Sequence, residues 1–250
     1  MTRRLILLRH GQTEYNATRR MQGHLNTELS SVGFAQAEAA ANFLAKLGII
    51  KIISSDLNRA FDTATVIGNQ LGIPVEKDER LRETHLGEWQ ARSHHEVDSL
   101  YPGMRAFWRN NPTWAPPGGE SRLDVARRAR PVVDELMQSF PEWDDGTVLM
   151  VAHGGTISAL TSNLLGLEVH QYPMFSGLGN TCGSQLTARP RWHADSMAVD
   201  EGPQPPRFTP DNISDAQWYL DGWNIGVALS PAGADTPSLS TIGEAGEPGK

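Results

Sequence analysis

Residues 5–16 read LILLRHGQTEYN, and this stretch decides how the rest of the chain is interpreted. Four apolar residues run directly into Arg9, His10 and Gly11. A short, continuous apolar run is typical of a strand buried in a parallel sheet. The carboxyl ends of such strands border the ligand crevice of an open α/β sheet. The sequence therefore places a guanidinium and an imidazole where such folds do their chemistry, and Gly11 lets a ligand approach the backbone.

Two further apolar runs end in the same way. Residues 49–53 (IIKII) precede a polar segment that ends at Arg59, and residues 147–152 (TVLMVA) run into His153 and two glycines. If the three strands are neighbours in one sheet, two arginines and two histidines meet at one edge. Guanidinium groups bind phosphate oxygens in a bidentate manner, and a neutral imidazole can attack phosphorus. The pattern predicts a site for a phosphate or another oxyanion.

Strands and helices alternate along the chain, which predicts an α/β domain. Helices are predicted over residues 32–47, 93–100, 104–110, 121–140 and 156–165, and late strands over residues 180–187 and 217–223. We expect one domain over residues 1–228, with a surface insertion at the proline-rich residues 189–212. Residues 229–250 are rich in Pro, Gly, Ser and Ala, so we expect a disordered tail there.

The composition is that of a globular protein, with 39% hydrophobic and 20% charged residues in a chain of 250. The net charge of -7 and the lack of a basic run argue against nucleic acid or a membrane as partner. An anionic substrate would therefore need a local cationic pocket. Cys182 is the only cysteine, which excludes an intrachain disulfide and favours a cytoplasmic location. The apolar run before Arg9 is too short for a signal peptide or a membrane span.

The motif LRHGQT at residues 8–13, followed by Asn16, resembles the signature of the histidine phosphatase superfamily, also called the phosphoglycerate mutase-like family. Three later segments match in order and spacing: SSDLNRA at 54–60, LRETHLGEWQ at 81–90, and VAHGG at 151–155. A lone Arg-His-Gly is weak evidence, whereas four motifs in order are specific. The resemblance extends over residues 3–188 and, less closely, 217–223. It implies a three-layer α/β/α sandwich around a mostly parallel sheet.

The resemblance also implies roles for the matched residues. His10 would be the nucleophile that carries a phosphohistidine, and Glu83 would protonate the leaving oxygen and then activate water. Arg9, Arg59 and His153 would hold the phosphoryl oxygens. A further set would contact the substrate: Asn16, Gln22, Gly23, Gly154 and, as an additional candidate on the Glu83 loop, His85. The family needs no metal and no cofactor, and the sequence offers no obvious metal site.

Two segments favour the phosphatases of the family over its mutases. Gln22 and Gly23 stand where mutases tend to carry Thr-Gly-Trp. Residues 80–90 and 113–121 resemble the branch that hydrolyses glucosyl-3-phosphoglycerate to glucosylglycerate, a precursor for methylglucose lipopolysaccharide biosynthesis. In that second segment, Trp114 is a candidate for stacking on a sugar ring, although core packing is the commoner role of a tryptophan.

The sequence therefore predicts a metal-independent phosphatase that acts on a phosphorylated small molecule. Two alternatives share the fold: a phosphoglycerate mutase and a broad-specificity phosphatase. A third alternative is a catalytically silent protein that binds phosphorylated ligands. A homodimer is expected from the family resemblance alone.

Overall fold

A single mixed sheet organises the computed structural model, which describes residues 2–192 and 207–226. Its strands are β1 (Arg3–Arg9), β2 (Ile49–Ser54), β3 (Val75–Lys77), β4 (Thr147–Ala152), β5 (Gly183–Pro190) and β6 (Ala216–Ile225). They lie in the order β3-β2-β4-β1-β5-β6. The first four of these run parallel, while β5 is antiparallel to both of its neighbours. The predicted mostly parallel sheet is confirmed.

Helices cover both faces of this sheet. The helices are α1 (Glu14–Ala17), α2 (Ser31–Leu44), α3 (Asn58–Leu71), α4 (His94–Leu100), α5 (Met104–Asn110), α6 (Arg122–Ser139) and α7 (Gly154–Leu164). Alternate residues of a strand point to opposite faces, and β1 divides accordingly. Leu5 and Leu7 join the core under α6 and α7, whereas Ile6 and Leu8 join the core under α2 and α3. The three-layer α/β/α arrangement follows from this division.

A separate aromatic cluster lies beside the sheet and joins α4, α5 and the Glu83 loop. Its centre is Trp89, which is fully buried. The rings of Trp108 and Trp114 lie 5.9 and 5.6 Å from the Trp89 ring. Trp114, the candidate for sugar stacking, therefore packs into this cluster, while Trp108 also reaches the cavity described below. The cluster fixes one wall of that cavity.

Several predicted boundaries differ from the observed ones for identifiable reasons. The last helix before β5 begins at Gly154 instead of residue 156, because His153 itself is the N-cap residue. Strand β5 begins at Gly183 instead of residue 180. The backbone N–H of Thr181 is diverted to the carbonyl oxygens of Arg9 and His10, so this segment closes around the end of β1.

The predicted insertion and tail mostly fall outside the described residues. β5 continues to Pro190, so it includes the first two residues of the predicted insertion at 189–212. Residues 193–206 of that insertion and the whole predicted tail, 229–250, lie outside the described part of the chain. Within the described ranges, none of the helices has the length and apolar character needed to cross a membrane.

Candidate active site

The ends of β1, β2 and β4 bring the predicted residues to one place. β4 lies between β1 and β2, so the segments that follow all three strands are neighbours. The His10 N–H donates to Ala152 O at 3.1 Å, and the Ser55 N–H donates to Val151 O at 2.9 Å. These bonds extend the parallel pairing one residue beyond the strands. The arginine and histidine side chains are consequently presented at the carboxyl edge of the sheet, as predicted.

His10 is buried and held in one tautomer. Its Nδ1 lies 2.6 Å from Gly11 O. A carbonyl oxygen can only accept, so Nδ1 carries the proton and Nε2 keeps its lone pair. Burial, and then the charges of Arg59 and Arg9, hold the pKa of His10 well below its ordinary value. His10 is therefore a neutral imidazole at physiological pH, which is the nucleophilic form.

His153 is the second imidazole of the site and is fully buried. Its ring lies 5.2 Å from the His10 ring, and its Nε2 shares a hydrogen bond of 2.9 Å with Ser55 Oγ. Burial, followed by the charge of Arg59, holds the pKa of His153 well below its ordinary value. Its Nδ1 has no hydrogen-bond partner among the described residues. An orphaned polar atom in a buried site is typical of a position that a ligand completes.

Two cations also lack a full set of partners among the described residues of this site: Arg59, which is fully buried, and Arg9, which is partly buried. Arg59 donates to Gly23 O and Leu25 O at 2.8 and 2.7 Å, and Arg9 donates to Leu178 O. Neither forms an ion pair with a carboxylate of the described residues, and the Nε of each is buried without a partner there. Burial lowers the pKa of Arg59 to about 10, so it stays protonated at neutral pH. Two guanidinium groups that are shielded from water and have no carboxylate partner among the described residues are stabilised when an anion binds between them.

Glu83 lines the same cavity as these cations. Its Oε1 accepts the Thr84 N–H at 2.8 Å, and its Oε2 accepts the Gly155 N–H at 3.2 Å. The N–H of Gly155 belongs to the first turn of α7, where helix N–H groups lack intrahelical partners. The acid loop and the second-histidine helix are therefore joined through the Glu83 carboxylate.

An ion pair behind the loop fixes its backbone. Arg128 of α6 donates to Glu83 O at 2.8 Å and to Arg80 O at 2.6 Å. Its other contacts are with Glu120, at 3.0 Å to each carboxylate oxygen. Glu120 in turn accepts the His85 N–H at 2.9 Å. The Arg128–Glu120 pair thus holds the loop on both sides of Glu83.

The predicted substrate-contacting residues divide into two groups. Those that line the cavity are Asn16, Gln22, Gly23 and Gly154. The amide oxygen of Gln22 accepts a hydrogen bond from Thr13 Oγ1, so the amide nitrogen remains available to donate to a ligand. His85 is not among the residues that line the cavity. It packs edge-on against His24 and uses Nδ1 on Gly118 O at 2.9 Å, so its observed role is to brace the loop.

The cavity itself has a volume of about 750 Å³ and is far larger than a phosphate group needs. Four further arginines line it beyond Arg9 and Arg59: Arg19, Arg20, Arg109 and Arg122. Glu83 is the only carboxylate among the described residues of its wall. A chain of net charge -7 therefore encloses a strongly cationic pocket.

Some of these residues were not singled out from the sequence. Arg128 and Asn180 reach the site through contacts that are long-range in sequence: Arg128 donates to Glu83 O, 45 residues away, and Asn180 donates to His10 O at 3.0 Å, 170 residues away. No local pattern could have found them. Arg122 is different, because a cation in the first turn of a helix opposes the helix dipole. Arg59 likewise lies in the first turn of a helix, α3.

The comparisons with known proteins agree with this geometry. Residues 5–197 match the family model of the Histidine phosphatase superfamily (branch 1). The chain is 50% identical to the glucosyl-3-phosphoglycerate phosphatase of Mycolicibacterium vanbaalenii over 91% of its own length and 97% of that protein. It is 47% identical to the Mycobacterium tuberculosis protein of the same name, with equal coverage. A solved structure of mycobacterial glucosyl-3-phosphoglycerate phosphatase complexed with VO3 covers 89% of this chain and 98% of its own at 48% identity, with a TM-score of 0.78.

Proposed function

The chain belongs to the histidine phosphatase superfamily and is a phosphomonoester hydrolase, and we propose that its substrate is glucosyl-3-phosphoglycerate, hydrolysed to glucosylglycerate and phosphate through a phosphohistidine on His10. The observation that carries the mechanism is a neutral imidazole beside two guanidinium groups, one buried and one partly buried, that form no ion pair with the described residues. The substrate rests on the two relatives of that name and on the size and charge of the cavity.

In the first step, the His10 Nε2 attacks phosphorus. The N–P bond forms as the ester P–O bond breaks, and Glu83 in its acid form gives a proton to the leaving oxygen. The imidazole becomes cationic, and its Nδ1–H donates to Gly11 O, which stabilises that charge. Arg9 and Arg59 neutralise the phosphoryl oxygens, the task of an oxyanion hole.

In the second step, water attacks the phosphohistidine. The Glu83 carboxylate takes a proton from the water, the N–P bond breaks, and its electron pair returns to His10 Nε2. Phosphate leaves, and Glu83 is again in its acid form. The N–H of Gly155 on one carboxylate oxygen keeps Glu83 oriented toward the reacting group in both steps. His153, Asn16, Gln22, Gly23 and the N–H of Gly154 complete the ring of donors around the phosphoryl group.

The setting of the enzyme is part of the same proposal. We infer a cytoplasmic enzyme, on the single reduced cysteine, and a homodimer, on family resemblance. Its product would enter the biosynthesis of methylglucose lipopolysaccharide. Sedimentation of the purified protein tests the dimer, because a monomer at micromolar concentration would contradict it.

Phosphate release by the purified protein, with a chelator present, tests the reaction and the substrate together. The panel contains glucosyl-3-phosphoglycerate, mannosyl-3-phosphoglycerate, 3-phosphoglycerate and an aryl phosphate. We expect the glucosyl compound to have the highest kcat/KM and the chelator to have no effect. Equal rates on all four compounds would support a broad-specificity phosphatase instead. Interconversion of 2- and 3-phosphoglycerate without phosphate release would indicate a mutase.

A further inference from the structure

Beyond the phosphoryl site, the cavity wall carries four further arginines, and three of them form no ion pair with a carboxylate in the part of the chain that the structure describes. Arg20 forms an ion pair with Glu96 and donates a hydrogen bond to Ala91 O, so a carboxylate of the protein already neutralises its charge. The guanidinium groups of Arg19, Arg109 and Arg122 form no ion pair and donate no hydrogen bond within the described residues. These guanidinium groups line a cavity and are not paired with carboxylates of the described residues. Such a cluster indicates a ligand that carries negative charge at the part of the cavity that these arginines line.

Arg122 is the best placed of the three. Arg19 and Arg109 are exposed, whereas Arg122 is partly buried, and burial together with the nearby charge of Arg109 lowers its pKa. It is the first residue of α6, where the helix dipole repels a cation. Three effects thus destabilise the charged form of Arg122: desolvation, the like charge of Arg109, and the dipole of α6. An anion bound in the cavity offsets all three.

The neighbours of Arg122 define what it can bind. Its guanidinium lies over the Trp108 ring, 5.6 Å from the centroid, so one face of the group is occupied. The N–H edge remains for a planar acceptor, and a carboxylate matches that fork with two parallel hydrogen bonds. Trp108 is held in turn by Trp89, so the platform beneath Arg122 is rigid. Arg122 lines the same cavity as Glu83 and His10, so it can contact a ligand whose phosphoryl group lies at His10.

We propose that Arg122 is a specificity-determining residue that binds the carboxylate of a phosphorylated hydroxy acid while Arg9 and Arg59 bind its phosphoryl group. This inference rests on the proposed function and deepens it. Glucosyl-3-phosphoglycerate carries one phosphate and one carboxylate, so the enzyme holds its substrate at two anionic points. The sugar occupies the remaining volume of the cavity, and a phosphomonoester without a carboxylate gains only the phosphoryl contacts.

A pair of substrates that differ only in the carboxylate tests this assignment. One is glucosyl-3-phosphoglycerate, and the other is the same compound with its carboxylate reduced to a hydroxymethyl group. The variant is Arg122→Gln, and the matched control is Arg127→Gln, which removes an exposed arginine of the same helix paired with Asp124. An aryl phosphate reports whether each variant is folded and retains phosphoryl transfer.

We expect Arg122→Gln to lower kcat/KM for the carboxylate substrate by about 10- to 100-fold, the range for losing hydrogen bonds between charged groups. Most of the loss should appear in KM. Activity on the hydroxymethyl analogue and on the aryl phosphate should stay within about twofold of wild type, as should every activity of Arg127→Gln. Glucosylglycerate should inhibit the wild type by competition and the Arg122→Gln variant much less.

Equal losses on both glucosyl substrates, or no loss on either, would overturn the role of Arg122. The phosphatase assignment would survive that result, because the wild type would still release phosphate. A wild type that hydrolyses the aryl phosphate but neither glucosyl compound would overturn the proposed substrate and the carboxylate subsite together. A wild type inactive on every phosphomonoester would instead contradict the enzymatic activity itself.

Discussion

The rings of His10 and His153 lie 5.2 Å apart, and both are buried as neutral imidazoles beside two positively charged guanidinium groups. This arrangement favours function over stability. In water both imidazoles could be protonated, but burial and the charge of Arg59 disfavour their protonation in the folded protein. The cationic form of His10 becomes favourable only when a phosphoryl group brings negative charge to the site.

Stability should consequently fall as the solution becomes acidic. The pKa of each buried histidine is lower in the folded state than the unfolded value of about 6.5. Below that pH the unfolded chain binds more protons, so the free energy of unfolding decreases by about 1.4 kcal/mol per histidine per pH unit. Urea unfolding at about pH 7 and about pH 5.5 measures this slope. His153→Gln should reduce it and His170→Gln, at an exposed position, should not; equal slopes in both would contradict the prediction.

Replacing the nucleophile should remove turnover without unfolding the protein. We expect His10→Ala to lower kcat by at least about 10⁴-fold, as for other covalent catalysts. No ³²P should stay on the denatured protein after mixing with labelled substrate. The variant should still fold and unfold cooperatively, because the one hydrogen bond of the His10 ring within the described residues is to the adjacent Gly11 O. His170→Ala serves as the matched control, and substantial phosphate release by His10→Ala would contradict the mechanism.

Glu83→Gln should separate the two chemical steps. An amide cannot protonate the leaving oxygen, so the loss should be about 10²- to 10⁴-fold for an alkyl phosphate. A dinitrophenyl phosphate needs no such proton, and its first step should proceed. Since the amide cannot activate water either, the phosphoenzyme should accumulate, and its formation should release a burst of dinitrophenolate. A steady rate without a burst, and with equal losses on both substrates, would show that Glu83 is not the acid–base group.

The parts of this site that could be predicted are those formed by residues close together in the sequence. Each motif at a strand end is local, because an apolar run and the residues after it are contiguous in sequence, and these segments located His10, Arg59 and His153. Strand adjacency was assumed, and the order β2-β4-β1 supplies it. His85 shows the limit. Its place on the Glu83 loop predicted a substrate contact, but the fold turns the side chain toward Gly118 and His24.

The support of the acid loop belongs to the part that the sequence could not reveal. Arg128 lies 45 residues from Glu83 in sequence, and nothing in the helical pattern of α6 distinguishes it from the adjacent Arg127. Burial separates them: the Arg127 side chain is 76% exposed and the Arg128 side chain 21%. Only the folded chain shows which of the two arginines contacts the loop backbone.

Arg128→Ala should therefore resemble a weaker form of Glu83→Gln. Without the guanidinium, the Arg80 carbonyl loses its donor, and the Glu83 carbonyl and the Glu120 carboxylate each lose one of their contacts. Glu83 O keeps the His24 ring nitrogen and Glu120 keeps the His85 N–H, so the loop is loosened and not released. We expect a loss of about 10- to 100-fold in kcat for an alkyl phosphate and a smaller loss for a dinitrophenyl phosphate. Arg127→Ala should behave as wild type on both. A uniform loss on the two substrates would point to a general folding defect instead of a displaced carboxylate.

Two adjacent glycines provide the sharpest test of how Glu83 is positioned. A Cβ added at Gly155 would lie 2.5 Å from Glu83 Oε1 and 2.7 Å from Thr84 Oγ1. A Cβ added at Gly154 would lie no closer than 3.7 Å to Arg9 Nε, which is ordinary van der Waals contact. Both glycines lie in the first turn of α7, so alanine is compatible with the backbone at either position.

Gly155→Ala should displace the carboxylate and reproduce the leaving-group dependence of Glu83→Gln, with a loss of about 10²-fold on an alkyl phosphate, the cost of a displacement near 1 Å. Gly154→Ala keeps its backbone N–H and should lose less than a tenth as much. The two variants share a helix, a substitution and a change in volume, so a difference in stability cannot explain a difference in leaving-group dependence. Equal losses in both would show that the first turn of α7 needs glycine for another reason, and that the contact between Gly155 and Glu83 does not set the position of the acid.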